Sequence, residues 1–170
     1  LLSFIFQRLF TDLQVDKASV TRLREVMRRG PGVLLPCHRS HIDYLVISYA
    51  MYTHGLVPPH IAAGKNLSFF PLGYVFRRSG AFFIRRSFRD NLIYARTLRA
   101  YVRKLAKEGI PMEFFIEGGR SRTGKCLPPR LGLLKEVLLA HLDGAAPEIF
   151  LVPTGLSYEK VIEDAAYQRE

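Results

Sequence analysis

Cysteine is scarce in this chain of 170 residues: there are two, Cys37 and Cys126, and they form no CxxC pair. That spacing speaks against a zinc framework and a disulfide scaffold, and it suits a reducing compartment. Long apolar runs are also lacking. The longest, residues 44–52, falls far short of the roughly 20 residues that a membrane-crossing helix needs. No signal peptide, internal repeat, low-complexity tract or linker is visible. Acidic side chains are in deficit, 15 against 25 basic ones, which leaves a net charge of +10 at pH 7. The chain opens on Leu1 rather than Met and reads as a piece of a longer protein.

Apolar residues make up 48% of the chain, with twelve Phe and eight Tyr. At this length one domain is expected, burying about 70% of its unfolded surface without staples. Eighteen of the basic residues are Arg, whose planar fork binds phosphate bidentately. The excess favours an anionic partner: a phosphorylated substrate, nucleic acid, an acidic carrier protein or an acidic membrane. Nucleic acid has charge alone behind it. No recognition motif is present, and the aromatics fall in apolar strand runs rather than on a basic platform.

Residues 1–10 are strongly apolar and read as a core helix, or as a segment that lies on a membrane or packs on a further domain. Ser19 is expected to cap a helix with apolar positions Val20, Leu23, Val26 and Met27, stopped by Gly30-Pro31-Gly32. Strands are expected over 33–37, weakly over 60–63, and over 81–84, 112–116 and 149–152. Helices are expected over 40–53, 67–78, 90–108 and 131–142, with a loop over 118–129. The helix over 40–53 is apolar nearly all round and should be buried. Leu92, Ala95, Leu98, Val102 and Leu105 form the stripe of the helix over 90–108. Five alternations of strand and helix predict an α/β fold with a mainly parallel central sheet flanked by helices.

The richest run is His38-Arg39-Ser40-His41-Ile42-Asp43, directly behind the first strand. Open α/β sheets hold ligands at the carboxyl ends of their strands. A turn of helix would return Asp43 to His38, fixing its tautomer, and such a pair can take a proton from a substrate hydroxyl. His38, Arg85, Glu117 and Pro153 all follow apolar strands and should converge on one edge of the sheet. Arg85 and Arg86 are adjacent at a strand end, so they point to opposite sides. Behind Phe114-Phe115-Ile116-Glu117 come Gly118, Gly119, Arg120, Ser121, Arg122, Thr123 and Lys125, a dense set of anion donors on a backbone that a ligand can approach.

Two other readings are weaker. Gly119 to Lys125 matches GxxxxGK, but Cys126 stands where Ser or Thr should hold magnesium, and Pro128-Pro129 blocks the helix that should follow. His38, His41 and Asp43, with His60 or His141, match no HExxH or HxHxDH pattern.

Four blocks together resemble the glycerol-3-phosphate acyltransferase family, in the bacterial membrane-bound branch of the HxxxxD glycerolipid acyltransferases. They are Pro36-Cys37-His38-Arg39-Ser40-His41-Ile42-Asp43-Tyr44-Leu45, Gly80-Ala81-Phe82-Phe83-Ile84-Arg85-Arg86, Phe115-Ile116-Glu117-Gly118-Gly119-Arg120-Ser121-Arg122-Thr123-Gly124-Lys125 and Val152-Pro153-Thr154-Gly155-Leu156-Ser157-Tyr158-Glu159. Thr154 and Leu156 depart mildly from that branch. The resemblance implies transfer of a fatty acyl group from acyl-CoA or acyl carrier protein to the sn-1 hydroxyl of glycerol 3-phosphate, giving lysophosphatidate. It implies a catalytic set of His38, Asp43, Glu117 and Gly118, the last through backbone N–H groups near Gly118-Gly119. The substrate-binding set would be Arg39, Ser40, Arg85, Arg86, Arg120, Ser121, Arg122 and Pro153. No metal or bound cofactor is needed. The partners implied are the two substrates and membrane phospholipids, without nucleic acid, at the cytoplasmic face of the inner membrane. Residues 1–31 then form an N-terminal helical segment and 32–170 the acyltransferase-like domain. The alternatives are dihydroxyacetone phosphate as acceptor, or a non-catalytic basic module for membrane or nucleic acid.

Overall fold

In the computed structural model, the described residues are 13–158 apart from 41, 69, 86–90, 122 and 124; Asn66 and Leu72 are described by their backbone only. The expectations at residues 1–10, His41, Arg86, Arg122 and 159–170 lie outside this set. Helix α1 spans Lys17–Arg29 and strand β1 Gly32–Pro36. Then follow α2 (Asp43–Thr53), β2 (His60–Gly64), a 3₁₀ turn (Lys65–Leu67), α3 (Leu72–Arg78) and β3 (Ala81–Ile84). The last four are α4 (Leu92–Lys107), β4 (Met112–Glu113), α5 (Gly132–Leu142) and β5 (Phe150–Thr154).

The five strands form one parallel sheet in the order β3-β2-β4-β1-β5. Side chains alternate across a strand, so neighbours on β1 serve opposite layers. Val33 joins Leu98, Val102, Leu105, Met112 and Val137 in a core beneath α4 and α5. Leu34 joins Ile47, Met51 and Leu56, with Leu23 and Met27 of α1 packed against them. Parallel crossovers are right-handed, so opposite directions of travel require opposite faces. The chain leaves β1 toward β2 through α2 on one face, and it leaves β4 toward β5 through α5 on the other. The direction therefore reverses between the neighbouring strands β1 and β4. In an open sheet this opens a crevice at the carboxyl ends of those two strands.

Several elements differ from their sequence expectation. The cap of α1 is Asp16, whose carboxylate accepts from the N–H groups of Ala18 and Ser19 at 3.2 and 3.0 Å. Asn91 caps α4 by accepting from Tyr94 N–H at 2.9 Å. Helix α2 begins at Asp43 rather than residue 40, because its carboxylate gathers the N–H groups of residues 39 and 40. It is half-buried: Val46, Ile47 and Met51 face inward, while Tyr52 is 69% exposed. The stripe of α4 is buried from Leu98 onward, and Leu92 stands in solvent. The expected helix over 67–78 divides into the 3₁₀ turn and α3, with Pro71, which has no N–H for a helix interior, at the boundary. Strand β4 leaves the ladder after Glu113, although Phe114 N–H still reaches Leu34 O at 3.2 Å. Strand β5 runs through Pro153 to Thr154, in register with Leu35 and Pro36. As the sheet edge it tolerates a residue that cannot donate. Among the described residues no helix is long and apolar enough to cross a membrane.

Candidate active site

His38 leaves the end of β1 and folds back onto Asp43 at the start of α2. Its Nδ1 lies 3.0 Å from Asp43 Oδ2. That oxygen also accepts from the N–H groups of Arg39 at 2.7 Å and Ser40 at 2.9 Å. The second oxygen, Oδ1, accepts from the Tyr158 hydroxyl at 2.7 Å. Asp43 has no exposed surface. Burial by itself would raise its pKa. The bonds from His38, Ser40, Tyr158 and Arg39 outweigh that cost and hold the carboxyl below its ordinary value. An ionised carboxylate only accepts, so His38 donates its Nδ1 N–H to Asp43, and the neutral tautomer so fixed is the one that carries its lone pair at Nε2. The imidazole stacks on Phe115, with ring centroids 3.9 Å apart. The ring is thus held from below by the segment after β4 and from the side by Asp43.

The segment behind β4 completes the crevice. Gly118 takes φ +63°, and its N–H donates to Phe115 O at 2.9 Å, closing a tight turn. A Cβ there would meet Arg130 Cδ at 2.6 Å. That engaged N–H shifts the expected oxyanion-donor role away from Gly118 itself. Arg130 N–H donates to Ile116 O and closes the loop. Ser121 is buried inside this loop; its N–H donates to His38 O at 2.8 Å and its hydroxyl donates to Lys125 O. It therefore ties the loop to the histidine, and its hydroxyl is already engaged. Arg120 is half-buried in the same loop.

Glu117 is buried and accepts from Leu127 N–H at 3.1 Å. Its carboxylate faces Cys37 and Cys126, two residues that the sequence keeps far apart. The Cys37 thiol is pushed up to about 11 by its contact with Cys126, by burial and by the charge of Glu117. Ser40 is fully buried beneath the His38 turn. Pro153 is exposed on β5 beside β1.

The carboxyl ends of β1, β3, β4 and β5 lie at one edge of the parallel sheet, as expected for His38, Arg85, Glu117 and Pro153, but Arg85 stands apart from His38 along that edge. Strand β3 is the far edge of the sheet, three strand intervals or about 14 Å from β1. Arg85 is exposed, its guanidinium 5.1 Å from the centroid of the Tyr94 ring and its N–H bonded to the Tyr94 hydroxyl. Of the other histidines weighed as ligands, His60 contacts the Tyr101 hydroxyl and His141 the Ala146 carbonyl. A cavity of about 330 Å³ lined by Arg24, Arg28, Leu56, Glu108 and Pro111 lies at the opposite, amino ends of the strands.

Residue-by-residue reading of the sequence missed three partners: Tyr158, Phe115 and the Cys37–Cys126 contact. Tyr158 and Phe115 lie inside quoted blocks, but nothing in their spacing links them to Asp43 or His38. A family model described as Acyltransferase matches residues 17–157, from the start of α1 to the residue before Tyr158.

Proposed function

The chain belongs to the acyltransferase family and is an acyltransferase, and from that premise we propose that it acylates the sn-1 hydroxyl of glycerol 3-phosphate, with His38 as general base. The observation that carries this reading is the His38–Asp43 pair at the β1–β4 crevice, with four donors holding the carboxylate ionised. His38 Nε2 takes the acceptor proton while the hydroxyl oxygen attacks the thioester carbonyl carbon. The C–O bond forms, the tetrahedral oxyanion collapses, and the C–S bond breaks. The departing thiolate receives the proton held on His38. General-base assistance of this kind contributes about 10² to 10⁴ in rate. The backbone N–H of Gly119 is the candidate oxyanion donor, since that of Gly118 is engaged.

The acceptor phosphate is assigned to Arg120 and its neighbours in the 118–125 loop, which Ser121 ties to His38, and to Arg85 from the far edge. Arg39, Arg86 and Arg122 complete the basic set, and Ser40 and Pro153 shape the floor and rim. Glu117 orders the loop through Leu127. The donor is acyl-CoA or acyl carrier protein, and the reaction as written needs no cofactor. A net charge of +10 suits work at an anionic lipid surface, and the reading places the protein at the cytoplasmic face of the inner membrane.

The test is acyl transfer from palmitoyl-CoA to radiolabelled glycerol 3-phosphate in detergent–lipid micelles, beside a folded His38→Ala variant. Labelled lysophosphatidate is expected from the wild type, with a fall of about 10² to 10⁴ in the variant. Equal turnover by the two would remove His38 from the chemistry. Preferential acylation of dihydroxyacetone phosphate would change the acceptor.

A further inference from the structure

The end of β1 and the loop behind β4 meet at a second cluster, one residue from His38. Cys37 Sγ and Cys126 Sγ are 3.7 Å apart. With the Glu117 carboxylate, their ligand atoms all lie within 4.8 Å of one another. In a tetrahedral zinc site with Zn–S near 2.3 Å, two thiolates stand about 3.8 Å apart along the tetrahedron edge. The observed separation matches that edge, whereas a disulfide would need the sulfurs at about 2.0 Å.

We propose that Cys37, Cys126 and Glu117 form a binding site for one thiophilic divalent cation of the zinc class. Two thiolates and a carboxylate supply three ligands, and the exposed side of Cys126 leaves the fourth position to water or a small anion. Glu117 is already oriented for the role: Leu127 N–H holds one oxygen, as the partners that aim metal ligands do. Binding exchanges two thiol protons for the cation, and the protons leave to solvent.

The consequence is a clasp. β1 ends at Pro36 and the loop returns at Arg130, whose N–H bonds Ile116 O. A cation shared by Cys37, Glu117 and Cys126 joins the two ends of the candidate active site through bonds stronger than the Ser121–His38 hydrogen bond. It therefore sets how firmly the anion-binding loop is held over His38. This site is independent of the acyl-transfer assignment, because its readout needs no turnover.

The test is titration of the full chain, kept reduced with a non-thiol reductant, with cadmium as a spectroscopic stand-in, followed by zinc competition. The expected result is an ultraviolet thiolate-to-cadmium charge-transfer band that saturates at one cation per chain, with two protons released and the band abolished by zinc. Cys126→Ser should halve the band and weaken zinc binding by no less than the roughly 10- to 100-fold that loss of an orienting partner costs. Glu117→Gln should keep the band and weaken binding. Absence of the band in folded, reduced protein overturns the proposal, as does a band that Cys126→Ser leaves intact. A mass two hydrogens lower that persists under the reductant means a disulfide in place of a cation site, and overturns it too.

Discussion

Glu113 is fully buried on β4, and among the described residues neither of its oxygens finds a hydrogen-bond partner. Burial, reinforced by the negative charge of Asp43, pushes its carboxyl well above the ordinary value. Asp43 is buried too and goes the other way because four donors surround it. Burial raises both carboxyls, most of all the more deeply enclosed Glu113, and only Asp43 has the hydrogen bonds that overcome it. The consequence for stability follows from proton linkage. Above an unfolded pKa of about 4.3, the unfolded chain releases the Glu113 proton while the folded chain keeps it. Stability therefore falls as pH rises through that window, until the raised folded pKa is passed. Glu113→Gln is neutral in both states and removes this slope. Thermal melts from pH 4 to pH 8 should show the variant gaining on the wild type as pH increases; parallel curves would mean that Glu113 is charged in the fold. For Asp43 the sign is opposite. Its stabilisation is complete above the unfolded value of about 3.9 and is lost as pH falls through the lowered folded pKa.

Among the elements, the turn that ends β4 is the most demanding. Gly118 sits at φ +63° with Arg130 packed where a Cβ would be. Ala in that conformation costs roughly 1–2 kcal/mol from the left-handed backbone alone, with displacement of Arg130 in addition. Gly119, one residue on, has nothing within 4 Å of a built Cβ. Gly118→Ala should therefore lower the urea midpoint by an amount equivalent to about 1–2 kcal/mol or more. Gly119→Ala should stay within about 0.5 kcal/mol of the wild type. Equal midpoints for both variants would show that the turn does not hold the loop. The same geometry explains why β4 is two residues long: the stacking of Phe115 on His38 and the turn at Gly118 pull the chain out of the ladder.

Across the whole molecule, strand order governs which basic residues can act together. The reversal between β1 and β4 places His38 and the donor-rich loop at one crevice, and it sends β3 to the far edge. Arg85 therefore approaches the candidate site from a distance and from solvent, resting on Tyr94. An exposed charge contributes at most about 1 kcal/mol. Arg85→Ala should raise the KM for glycerol 3-phosphate by up to roughly fivefold and leave that of the acyl donor unchanged, as read from initial rates with each substrate varied. Equal rises in both would show that Arg85 does not contact the acceptor.

The alternation of apolar strands with amphipathic helices determined the α/β class and the parallel sheet, because a parallel neighbour requires a crossover long enough for a helix. Position also determined the His38–Asp43 pair, since five residues at a strand end suffice for a local turn that brings ring and carboxylate together. Strand order was decided only in three dimensions. Local pattern shows that a strand exists, whereas the face each crossover takes is settled by packing against the two cores. That order separated Arg85 from His38 and brought Cys37 to Cys126 across 89 positions. It also delivered Tyr158 to Asp43 across 115. Contacts over such separations leave no period in a sequence, because they arise from where whole elements come to rest.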